Sequence, residues 1–370
     1  MKIIISGGGT GGHIFPALSI ADKIKEKVPG AYMMYVGNEG GLEEKLAKEA
    51  GMEFKSIHVK GFIRKITFEN IKRVSLALKA MKEAESIIDD FKPDVVIGTG
   101  GYVCGPVVKV AAKKGIFTAI HESNSFPGLT NRLLAKYADL IFIGMKDAEK
   151  YFKTKKEILY VGNPVRKKIL NISRAEAREE LDIPTDRKYI LFMGGSGGSS
   201  ELNAAFADIA VYLILENIGF LITSGMKEYL TLLAKLKDMD FDEHQQIEDF
   251  ENDIAPYMAA ADLVVCSAGA ATLAEVTAMG KPCLVIPKTY TAGHHQEYNA
   301  KFIKNAGAGD YINDKDLNGA NLKQKLEEML SDPNELDKMS TKSKALYNKN
   351  AAEAMANIIL DRLKLRENHG

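Results

Sequence analysis

Twice along the chain a short apolar run feeds straight into a glycine-rich turn and then a helical stretch. "KIIIS" leads into "GGGTGGHIFP", and "YILFM" leads into "GGSGGSSELN". A strand that ends in a glycine turn at a helix start opens a βαβ unit, whose crossover returns the next strand parallel to the first. The same grammar continues through "YMMYVG", "PDVVIGTGG" and "FTAIHES", and through "LVVCSAGAATLAEV" and "CLVIP" in the second half. This alternation predicts an α/β chain of two Rossmann-like parallel-sheet domains facing a cleft, with ligands beyond the carboxyl ends of the strands. A length of 370 residues suits two cores better than one. "VGNPVR", Val161–Arg166, carries the Gly, Asn and Pro of a linker. The expected domains are therefore 1–163 and 164–344. An amphipathic helix over 345–370 follows and is expected to pack back on the first domain.

Bulk properties exclude several classes. The formal net charge is zero, which argues against a nucleic-acid partner. Cys104, Cys266 and Cys283 are far apart and lack C-x-x-C spacing, so neither a zinc site nor a disulfide framework is expected. The acidic run Asp238–Glu243 lacks the glycine and terminal Glu of a calcium loop and reads as solvated. No metal is expected. The most apolar stretch, Ala204–Ile222, is broken by Asp208, Glu216 and Asn217, so membrane contact is expected to be peripheral.

Gly7, Gly9 and Gly12 satisfy G-x-G-x-x-G, a dinucleotide fingerprint for which Glu39 is the candidate ribose acid. The loop is richer in glycine than a turn requires, which points to an anion at a helix N-terminus. His13 stands at that helix start, where an imidazole can take a proton near neutrality. "GTGGYVCGP" and "HESN" end neighbouring strands and bring Tyr102, Gly105, Glu122 and Asn124 to the same edge. In the second half, Gly194–Ser196 offers N–H groups and a hydroxyl. Thr272 and Glu275 are spaced as a capping box, so Glu275 either caps its helix or contacts a ligand. Between Lys60 and Lys82 stand Lys60, Arg64, Lys65, Lys72, Arg73, Lys79 and Lys82 against the acid Glu69, interleaved with Phe68, Ile71, Val74, Leu78 and Met81 at helical spacing. Such a helix either lies on an anionic bilayer or turns its apolar stripe to the core.

Taken together, "GGGTGGHIFPALSIA", "GTGGYVCGP", "HESNSFPGLTNRLLA", "GNPVR", "GGSGG" and "AGAATLAE...HHQEYNA" closely resemble the MurG family, in order from Met1 to about Gly309. That family transfers N-acetylglucosamine from UDP to a lipid-linked N-acetylmuramyl-peptide. The resemblance implies a GT-B architecture with the acceptor in the N-terminal half and the UDP-sugar in the C-terminal half. Thr10, Gly11, Gly12 and His13 match the loop that approaches the acceptor diphosphate; Tyr102 and Gly105 lie in the second such loop. Glu122 and Asn124 match polar residues near the transferred group, Arg166 the arginine of the interdomain motif, and Ser196 a contact to the UDP phosphates. Glu251 falls at the uracil contact. Ala270, Ala271, Thr272, Leu273, Ala274 and Glu275 match the nucleotide-binding loop, and Gln296 the donor-sugar contact. Two departures fall on the donor side. "GGSGGS" stands where many members have "GGSQGA", and Ser267-Ala268-Gly269-Ala270 lacks an arginine that many members carry on the phosphate side.

The resemblance implies an inverting transfer to the C4 hydroxyl of undecaprenyl-diphospho-N-acetylmuramyl-peptide, with His13 as general base and Glu122 as the alternative. The resemblance implies UDP-N-acetylglucosamine as donor substrate and no cofactor. The resemblance further implies peripheral work on the cytoplasmic face of the cell membrane, with other cell-wall enzymes as expected partners. Competing readings are a nicotinamide oxidoreductase, a glycosyltransferase with another lipid acceptor such as a diacylglycerol, and a non-catalytic nucleotide-sugar binder.

Overall fold

The computed structural model describes residues 1–61, 68–195 and 197–367. Contacts divide the chain into two units, Met1–Pro164 with Lys349–Gly370, and Val165–Asn348.

The first unit runs β1 (Lys2–Ser6), α1 (Gly11–Lys27), β2 (Tyr32–Gly37), α2 (Leu42–Glu49), β3 (Glu53–Ser56), α3 (Phe68–Phe91), β4 (Val95–Gly98), α4 (Cys104–Lys113), β5 (Phe117–Glu122), α5 (Leu129–Leu134), β6 (Leu140–Ile143) and β7 (Glu157–Tyr160). Its seven strands are ordered β3-β2-β1-β4-β5-β6-β7, all parallel. The middles of β1 and β4, Ile3–Ile5 and Val95–Ile97, are apolar and fully buried because both faces of the sheet are covered. Ile4, Val96 and Ile120 pack on one face with Ala80, Ala84 and Ile88 of α3 and Val107 and Val108 of α4. Ile3, Ile5 and Ile97 pack on the other face with Ile20 and Ile24 of α1.

The second unit runs α6 (Lys167–Leu170), α7 (Arg174–Glu180), β8 (Tyr189–Met193), α8 (Ser200–Leu215), β9 (Gly219–Thr223), α9 (Tyr229–Leu236), β10 (Gln245–Glu248), α10 (Ile254–Ala260), β11 (Leu263–Ser267), α11 (Ala270–Met279), β12 (Cys283–Ile286), α12 (His295–Ala306), β13 (Gly309–Tyr311), α13 (Gly319–Leu330) and α14 (Pro333–Leu346). Its six parallel strands are ordered β10-β9-β8-β11-β12-β13. Phe192, Phe206 and Phe220 meet edge to face under α8, with centroids 5.1 and 5.0 Å apart.

The last helix, α15 (Ala351–Glu367), belongs to the first unit. Met355, Ile359 and Leu363 recur every fourth residue and pack beside Ile20 and Ile24 of α1. Lys27–Glu353 at 3.0 Å and Arg362–Glu157 at 2.8 Å flank that contact.

The basic segment lies partly outside the described residues. Arg64 and Lys65 lie outside the described residues, as do the side chains of Lys72 and Arg73. In the described part of α3 the apolar stripe divides: Met81 packs against the core, whereas Leu78 is 60% exposed. Among the described residues no helix is long and apolar enough to cross a membrane.

Candidate active-site residues

In the first unit, β1 ends at Ser6 and α1 begins at Gly11 with neither a side-chain cap nor an acid in its first turn. The N–H groups at that start are turned toward the loop, the arrangement that favours an anion. Thr10 is the N-cap by backbone geometry, and its carbonyl accepts from His13 N at 3.1 Å. Beneath the glycines lies a carboxylate that the sequence reading did not single out. Glu43 is 2% exposed and accepts from Gly9 N at 3.4 Å and Asn38 N at 3.3 Å. It takes the Gly9 N–H, whereas Gly11 and Gly12 stand in the first turn of α1. Glu39, by contrast, is 72% exposed with His58 3.6 Å away, a poor anchor for a ribose.

His13 is held by residues of the neighbouring loop. Its Nδ1 lies 3.1 Å from the Thr99 carbonyl oxygen, and the Thr99 hydroxyl donates to the His13 carbonyl at 2.6 Å. A carbonyl only accepts, so this bond puts the proton of the neutral ring on Nδ1 and the lone pair on Nε2. Gly100 makes room for the ring, because a Cβ there would stand 2.6 Å from Nδ1. Thr99 is therefore a positioning residue. Tyr102 is partly exposed in the same loop, its hydroxyl 3.1 Å from the Asn38 amide, and Gly105 sits in the first turn of α4 against Thr130.

Glu122 ends β5 and is 1% exposed. Oε1 accepts from Asn124 N and Asn124 Nδ2, both at 2.9 Å; Oε2 accepts from Gly128 N and Asn131 Nδ2, both at 2.9 Å. A carboxylate with four N–H donors has no lone pair left for a hydroxyl proton. The expectation of Glu122 as alternative base therefore needs correcting. It orders the 123–128 turn and presents Asn124, which is itself tied to it. Its neighbour His121 is fully buried, with Nε2 donating to Gly162 O at 3.3 Å, and burial pushes its pKa down to about 4.

In the second unit, Ser196 lies outside the described residues. The flanking loop is tight: a Cβ at Gly198 (φ +71°) would collide with Ser224 O at 2.2 Å. Ser199 caps α8 through Leu202 N. The helix α11 is capped by neither Thr272 nor Glu275. Its N-cap is Gly269, with no side-chain cap, so the box spacing is out of register by a turn. Glu275 instead takes Arg166 in a two-pronged pair, Nε–Oε1 at 2.6 Å and Nη2–Oε2 at 2.8 Å. This pairing raises the Arg166 pKa. Leu273 and Ala274 are buried, and Leu273 N is bonded to Gly269 O. What α11 offers a ligand is therefore the backbone of Ala270, Ala271 and Thr272 with the Glu275 side chain. Glu251 accepts from Asp253 N at 2.7 Å. Gln296 accepts from Lys288 N at 2.9 Å, and Lys288 is a residue that sequence reasoning passed over. Among the described residues no group of three or more His, Cys, Asp or Glu is placed to hold a metal ion.

Residues 3–143 match the glycosyltransferase family 28 N-terminal domain, and residues 189–357 match the family 28 C-terminal domain. Among the relatives is the UDP-N-acetylglucosamine–N-acetylmuramyl-(pentapeptide) pyrophosphoryl-undecaprenol N-acetylglucosamine transferase of Alkaliphilus metalliredigens, 43% identical over 356 residues that cover 96% of this chain and 97% of the relative. The protein of the same name from Clostridioides difficile is 42% identical over 348 residues, covering 94% of this chain and 85% of the relative. The crystal structure of Acinetobacter baumannii MurG aligns with a TM-score of 0.80 at 27% identity, over 97% of this chain and 99% of that one. A calicheamicin glycosyltransferase, at 14% identity and a TM-score of 0.71 over 98% of each chain, shares the fold. The chain belongs to glycosyltransferase family 28 and, within it, to the MurG family of UDP-N-acetylglucosamine-dependent transferases.

Proposed function

We propose that this chain transfers N-acetylglucosamine from UDP-N-acetylglucosamine to the C4 hydroxyl of undecaprenyl-diphospho-N-acetylmuramyl-peptide (lipid I), forming the β-1,4-linked lipid II of peptidoglycan synthesis. The observation that carries the catalytic part is the Thr99 bond to His13 Nδ1, which leaves the basic lone pair on Nε2. Relatives of this name, similar over nearly the whole chain, support the substrates.

In this reading the acceptor belongs to the first unit. The N–H groups of Gly11 and Gly12 receive its diphosphate, while Thr10, Tyr102, Gly105 and Asn124 line its approach. His13 takes the C4 proton as the hydroxyl attacks the anomeric carbon. A single displacement of this kind inverts the α-linked donor. The donor belongs to the second unit, with Glu275 at the ribose hydroxyls, Glu251 near the uracil, Ser196 and the start of α11 at the phosphates, and Arg166 and Gln296 at the sugar end. The departing UDP is stabilised by helix N-termini. Association is peripheral, on the cytoplasmic face of the cell membrane, through the basic and apolar 60–82 segment acting on anionic lipid.

The test is UDP release from UDP-N-acetylglucosamine with and without the muramyl-lipid acceptor. Release that depends on that lipid, and not on diacylglycerol, supports the reading. NADH binding in place of UDP binding overturns it.

A further inference from the structure

We propose that Lys288 is a phosphate-binding cation of the donor site, receiving the diphosphate of UDP-N-acetylglucosamine and neutralising it as it leaves. The inference rests on the transferase reading above.

Three strand ends meet in this part of the second sheet. β8, β11 and β12 are adjacent and parallel, so the loops after Met193, Ser267 and Ile286 share one edge. A Cβ on Gly195 would stand 2.9 Å from Ser267 Oγ, so the first two loops touch. Lys288 follows β12 after a single proline and reaches across to the β8 loop, where its Nζ donates to Gly198 O at 2.6 Å. Its own N–H is accepted by Gln296 Oε1 at 2.9 Å. One residue thus links the glycine loop expected at the phosphates with the glutamine expected at the donor sugar. The diphosphate lies chemically between those two groups.

The charge requirement points the same way. The Ser267–Ala270 loop carries no cation. As the acceptor oxygen bonds to the anomeric carbon, the bond from that carbon to the β-phosphate oxygen breaks and its electron pair stays on that oxygen. The acceptor proton goes to His13. UDP therefore gains negative charge that nearby donors must meet. An ammonium has three N–H donors, and among the described residues Lys288 spends one of them on Gly198. The amine is partly buried, which lowers its pKa, while Glu201 and Asp314 oppose that shift. Both acids have other engagements: Glu201 accepts from Ser199 and Ser200, and Asp314 accepts from Thr289 N and Oγ1 at 2.9 and 2.7 Å. A partly buried ammonium bonded to a neutral carbonyl gains from an incoming phosphate oxygen.

The competing role is purely mechanical, with Lys288 bracing the Gly198 turn. Calorimetric titration of the full chain with UDP and with uridine, at low and high salt, separates the two for wild type, Lys288→Gln and Lys288→Arg. Phosphate contact predicts that Lys288→Gln weakens UDP about 10- to 100-fold, leaves uridine within about twofold and flattens the salt dependence of UDP binding, with most of the affinity restored in Lys288→Arg. Equal losses for UDP and uridine would assign Lys288 to bracing and overturn the proposal. Unchanged UDP affinity in Lys288→Gln, in a variant with the wild-type Tm, overturns it too. A wild-type chain that binds no UDP is a different result, because the transferase reading itself then fails.

Discussion

The Arg166 guanidinium lies along the Glu275 carboxylate, two nitrogens on two oxygens at 2.6 and 2.8 Å. The acid expected to hold the ribose diol is thus occupied by the arginine expected at the donor. Both oxygens carry further lone pairs, yet a diol that chelates the carboxylate competes with the guanidinium for the same two atoms. Arg166 is half exposed, so the pair adds little to stability and is readily exchanged. Glu275→Gln should weaken UDP and uridine alike, by about tenfold or more, while Tm stays nearly constant. The constant Tm follows from the N-cap at Gly269, since there is no capping box to lose. A lower Tm with unchanged uridine affinity would return Glu275 to a structural role.

His13 and Glu122 should separate cleanly by phenotype. His13→Ala removes the proposed base and should lower kcat by ~10²–10⁴-fold, with UDP affinity unchanged. Glu122→Gln turns an amide NH2 toward N–H donors in a buried site. It should cost about 1–3 kcal/mol of stability and lower Tm. Thr99→Val keeps the carbonyl that orients the ring but loses the hydroxyl bond to His13 O, so kcat should fall less than in His13→Ala. Steady-state kinetics with a soluble short-chain acceptor, beside thermal melts, tests all three. Full activity in His13→Ala would remove the histidine from the mechanism.

The fold class was legible because both halves repeat a pattern that physics ties to one outcome: an apolar strand buried on both faces, a glycine turn and an amphipathic helix. The place of His13 in the first turn of a helix was legible because a strand followed by a glycine turn fixes where the helix begins. Its support was not. Thr99 acts through a backbone carbonyl, which no side-chain pattern announces, from a strand end 86 residues away. Lys288 is similarly hidden: its partner Gly198 lies 90 residues earlier, brought close only by strand order. Glu122 shows the opposite failure, since a carboxylate beside a presumed site reads as catalytic until its four donors are counted. The Thr272–Glu275 spacing left cap and ligand contact open because a capping box depends on where the helix starts, and α11 starts at Ala270 after the N-cap Gly269.

Gly11→Ala probes the loop proposed to receive the acceptor, without disturbing the fold. The added methyl would meet the Phe15 ring edge at 3.0 Å, and that ring is 46% exposed and able to move. Stability should therefore hold, while the methyl crowds a diphosphate at the helix start. The expected result is a raised acceptor KM or lowered kcat, with UDP affinity unchanged within about 1 kcal/mol. Loss of UDP binding in Gly11→Ala would move the nucleotide to the first loop.

Membrane association should be electrostatic with an apolar component. Replacing Arg64, Lys65, Lys72 and Arg73 with Gln should weaken binding to anionic vesicles, and added salt should weaken the wild type similarly. Leu78→Ser should also weaken it without lowering Tm, since Leu78 is 60% exposed. Turnover of a soluble acceptor should persist throughout. Equal wild-type binding to neutral and anionic vesicles would discount the charges.

The last prediction concerns acid stability and follows from His121. Its ring is fully buried, and desolvation holds its pKa down to about 4 from an ordinary value near 6.5, against the opposing pull of Glu122. Between those values the unfolded chain binds a proton that the folded chain refuses. The unfolded state therefore gains as pH falls, and stability is lost from about pH 6.5 down to about pH 4. The full shift corresponds to on the order of 3 kcal/mol. Nδ1 has no partner among the described residues, so protonation there would find no acceptor to compensate it. His121→Gln keeps a donor for Gly162 O and removes the titration. Chemical denaturation of both proteins across this range should show a shallower pH dependence in the variant, whatever its absolute stability. Parallel profiles would mean that another group controls unfolding in acid.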